Sequence, residues 1–174
     1  MSIVSLPSSS PGVMLGHRGP MVVSCFLGWP SGASLRAVAS AQREVSAKYG
    51  KVLALSIIPP VDLRTVPELN MPTEQRAASL RIGSEVGEQV AATTIASAMV
   101  IMPRGVVAVM VNSFMAALSL VMRAQTPLKT FRTIPDAVAW LEQQPNAPQM
   151  PGVVRDVDDW LGLTPGQATG SVLR

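Results

Sequence analysis

The sequence predicts an α/β protein built on a single mixed sheet of four or five strands covered by about four helices. Three observations carry this. Short apolar runs of strand length alternate with longer helix-like segments, as at Met21–Gly28, Lys51–Ile58 and Ile95–Met102. Turn residues close each run: Trp29-Pro30, Pro59-Pro60 and Pro103. Third, 48% of the residues are hydrophobic but only 4% are aromatic, so the core is assembled from Val, Leu, Ile, Ala and ten Met.

With 174 residues the chain suffices for one domain with a substantial core. We expect an N-terminal segment over 1–12, the α/β domain over 13–144 and a Pro-, Gly- and Gln-rich tail over 145–174. Within the first twenty residues, Ser2–Leu6 and Val13–His17 each have the length of a short edge strand. His17-Arg18-Gly19-Pro20 reads as a turn. Ser31 to Tyr49 reads as a helix that Ser31 or Ser34 can cap, with Leu35, Val38, Val45 and Tyr49 along one face and Gly50 at its end.

After the strand at Lys51–Ile58 comes a loop holding Pro67 and Pro72, then a helix from Thr73 to about Ala92. That helix carries Ile82, Val86 and Val90 on one stripe, and Ser79, Gly83, Gly87 and Ala91 on another. Each mid-helix glycine costs about 1 kcal/mol relative to alanine, which close approach by a neighbouring element would offset. The segment from Arg104 to Gln125 is the most apolar. Gly105–Met122 holds 18 residues without a charge, the length at which a membrane span is suspected. A stripe of Gly105, Ala108, Asn112, Ala116, Ser119 and Arg123 favours a crossover helix instead, so membrane association is not the preferred reading. Leu128–Thr133 reads as a short strand and Pro135 as the start of a closing helix capped by Thr133. In the tail, Asp156–Leu163 has the pattern of one or two helical turns.

The net charge is +3, but the fourteen Lys and Arg are scattered without interleaved aromatics, which argues against a nucleic-acid groove. One cysteine, Cys25, excludes an intramolecular disulfide, and we expect a cytoplasmic location. Low charge in so apolar a chain predicts surface covered by a partner, another copy or lipid, and a homo-oligomer is the expected state.

No catalytic set is expected. His17 is the one histidine and Cys25 the one thiol, both in apolar strands, where a structural role is the ordinary one. No Cys/His cluster or phosphate-binding loop is present, so neither metal nor cofactor is expected. Asp156, Asp158 and Asp159 read as a solvated turn. Arg104 and Gly105, with Asn112 on the same stripe, are candidates for contact with an anion or a partner, because a helix start offers free N–H groups. Met110, Phe114, Met115 and Met122 would line a cavity for a lipid or small apolar ligand.

The order of elements resembles the STAS domain and the related SpoIIAA-like proteins, the anti-sigma-factor antagonist group of bacteria. The resemblance covers residues 13–144. It is carried most by the final strand and helix, where Phe131, Thr133, Asp136, Ala137, Trp140 and Leu141 match the pattern. It implies a non-catalytic domain that regulates or scaffolds by binding another protein, such as a signalling regulator. In that group a serine at the start of the helix after the second core strand is phosphorylated. Here Thr73, then Thr65, is the nearest hydroxyl, and no Asp-Ser pair stands there. A lipid carrier and an enzyme of unknown class are the alternatives.

Overall fold

A computed structural model describes residues 2–27, 30–59, 73–102, 109, 113 and 126–162. The α/β class is as expected. The sheet is larger than the four or five strands expected, with six: β1 (Val4–Leu6), β2 (Val13–Arg18), β3 (Met21–Phe26), β4 (Val52–Ile58), β5 (Thr94–Ile101) and β6 (Leu128–Phe131). Both N-terminal candidates pair, which accounts for the larger number. Four helices have defined bounds among the described residues: α1 (Gly32–Tyr49), α2 (Thr73–Ala91), α3 (Ile134–Glu142) and α4 (Val153–Leu161). Of the expected helix over 104–125, only Val109 and Ser113 are described. Both are helical, and the Ser113 hydroxyl donates to the Val109 carbonyl at 2.9 Å.

Strand order across the sheet equals chain order, β1-β2-β3-β4-β5-β6. The first two pairings are antiparallel and the last three parallel. Arg18 pairs with Met21 across a two-residue loop, where Gly19 takes φ of +54°. A two-residue hairpin loop needs positive φ at its first position, which glycine supplies without a Cβ clash.

Period-two alternation sorts the strand residues onto two buried faces. One face carries Val13, Leu15, Val22, Phe26, Val52, Ile58, Met99 and Ile101, packed against Ala37, Val38, Ala41 and Val45 of α1. The other carries Met21, Val23, Leu53, Leu55, Ile57, Ala96, Ala98 and Val100. It packs against Ile134, Ala137, Val138 and Leu141 of α3, then Met150, Val153 and Val157. Strands β3 to β5 are buried on both sides, so their sequences run almost continuously apolar. A polar pair interrupts β3 and β4. Ser24 and Ser56 face each other in register, and the Ser24 hydroxyl donates to that of Ser56 at 3.0 Å.

Helix α1 is capped as its sequence suggests, by both serines. The Ser31 side chain accepts from the Ser34 N–H, and the Ser34 side chain accepts from the Ser31 N–H. Helix α2 lies in the same layer as α1, with Ile82 against Gly32. Gly83 and Gly87 are buried, as close approach requires. Tyr49 departs from its expected core position and is 41% exposed.

The core reaches further along the chain than the boundary expected at residue 144. Helix α4 lies on the α3 side of the sheet, and Met150, Val153 and Val157 are core residues. No helix among the described residues is long and apolar enough to cross a membrane.

Candidate functional site

Parallel pairing points β3, β4, β5 and β6 the same way. The connections that leave them therefore open at one end of the sheet, the usual place for function in an α/β fold. Because strand order never reverses, adjacent crossovers do not diverge to opposite faces there, and no switch-point crevice forms between the described strands. Among the described residues this end carries two exposed apolar side chains. Leu27, just past β3, is 52% exposed, and its N–H donates to the Gly12 carbonyl at 3.0 Å. Met14, two residues on from Gly12, is 37% exposed and pairs with Cys25.

Most of the residues singled out from the sequence lie outside the described residues. This holds for Thr65, for Arg104, Gly105 and Asn112, and for Met110, Phe114, Met115 and Met122. Thr73 is the first residue of α2.

His17 and Cys25 cannot form a catalytic pair. His17 lies opposite Val22 and shares the α1 face with it, whereas Cys25 alternates with Ser24 and belongs to the other face. The His17 ring packs at 5.8 Å between centroids on Tyr49, and its Nδ1 lies 3.1 Å from the Gly19 carbonyl oxygen. Burial pushes the Cys25 thiol up to about 11, so it stays protonated and unreactive at neutral pH. Among the described residues no group of three or more His, Cys, Asp or Glu could hold a metal ion.

A second cluster joins the two ends of the chain. On the outward strands β1 and β2, Arg18, Gly16 and Ser5 share the face on which α4 lies. Arg18 Nε stands 2.6 Å from Asp156 Oδ2, with both side chains about nine-tenths buried. Arg18 Nη2 donates to the Pro151 carbonyl at 2.7 Å. The Trp160 indole N–H donates to Ser5 Oγ at 3.2 Å. Gly16 lets this close: a Cβ there would stand 2.5 Å from Ile3 Cγ2, 3.2 Å from the Val4 carbonyl oxygen and 3.3 Å from Trp160 Cε2. A cleft of about 190 Å³ remains between α4 and the N-terminal segment, lined by Ser2, Ile3, Asp156, Asp159 and Trp160.

The sequence reading missed this cluster. The available signal was the spacing of Val153, Val157, Trp160 and Leu161 at intervals of four, three and one, bracketed by Gly152 and Gly162. The partners on β1 and β2 lie more than 130 residues away, beyond any local pattern. No family model, no curated protein and no solved structure matches the chain.

Proposed function

We propose that this chain is a non-catalytic binding domain with a regulatory or scaffolding role, acting through protein–protein contact at the carboxyl end of its sheet. The observation that carries the reading is the apolar surface there, Leu27 with Met14, at the end where the parallel connections open. An exposed apolar surface of this kind is what a partner or a second copy would cover. Thr73 at the start of α2 supports a regulated version of the same reading. A phosphate there would meet the free N–H groups and positive dipole end of a 19-residue helix. The STAS-like resemblance and a cytoplasmic setting belong to this proposal.

Light scattering coupled to size exclusion over a concentration series tests it, with Leu27→Ser as the variant. The expected result is self-association that Leu27→Ser weakens while the unfolding midpoint stays put. A strict monomer whose surface binds no apolar dye would overturn the reading.

A further inference from the structure

We draw no further inference here: the strongest candidate, the cleft of about 190 Å³ between α4 and the N-terminal segment, carries nothing, because its charged lining is a pair of aspartates of which the buried one, Asp156, is already held by Arg18, and nothing in the structure points to a ligand there.

Discussion

Replacing Gly16 by alanine adds one methyl group at the point where β1, β2 and α4 converge. Its Cβ would sit 2.5 Å from Ile3 Cγ2, 3.2 Å from the Val4 carbonyl oxygen and 3.3 Å from Trp160 Cε2. The Val4 oxygen is backbone, fixed by the β1–β2 pairing, so the strain cannot be relieved by one rotamer change. Overpacking of this kind costs about 1–3 kcal/mol. The reduced freedom of the unfolded chain returns about 0.4–1 kcal/mol, because the φ of Gly16 is not positive and alanine can adopt it. The net loss is about 0.5–2 kcal/mol, and for a chain of this size each kcal/mol lowers Tm by about 2–4 °C. Thermal and urea unfolding would measure it. Ile3→Ala removes the closest atom, so the double variant should lose less than the sum of the single losses. A Gly16→Ala protein as stable as the native one, or strictly additive losses, would refute the argument that these elements meet at van der Waals limits.

Other perturbations read other parts of the structure. Ser31→Ala removes the side-chain acceptor of the α1 capping box and should cost about 1 kcal/mol in urea unfolding, while Ser31→Asp should retain most of it. Cys25, with its thiol pushed up to about 11 and its side chain buried, should react with a disulfide reagent at pH 8 far more slowly than after denaturation. For Asp158 the folded state raises the carboxyl pKa, so it holds its proton to higher pH than the unfolded chain does. Stability from this group is therefore greatest below the ordinary carboxyl range and falls as pH rises through the raised pKa. Asp158→Asn should remove that fall, flatten the acidic limb of the stability profile and leave the protein slightly more stable at neutral pH.

The central part of the fold was legible because its information is local. Prolines end the strands, Ser31 and Ser34 stand where a helix must be capped, and Leu128 and Phe131 fall on alternate sides of β6 as period two requires. Tyr49 was misplaced because helical periodicity assigns a face but not the point at which that face runs past the core. At the end of α1 the ring meets the edge of His17 and lies 5.1 Å from Lys48 Nζ, partly in solvent. The acidic segment at Asp156 was read as solvated for a related reason. Its charge is matched by Arg18, whose position opposite α4 is a product of the tertiary fold. Helix α2 begins at Thr73, where the sequence reading starts it. Exposure of Leu27 was not legible, because an apolar residue at a strand end carries no sign of which side it will face.

Equality of strand order and chain order bears on how the protein is made. Each strand leaving the ribosome finds its neighbour already in place, since β3 pairs with β2, β4 with β3, and so on to β6. At every stage of synthesis the growing edge is the strand that emerged last, and pairing need not wait for a distant segment. Among the described residues α4 must travel back to the first strands, so the contacts of Trp160 with Ser5 and of Asp156 with Arg18 form after the sheet is complete. A nascent chain arrested before residue 150 would already hold its six strands in order, with the β1–β2 ribbon still uncovered on one side.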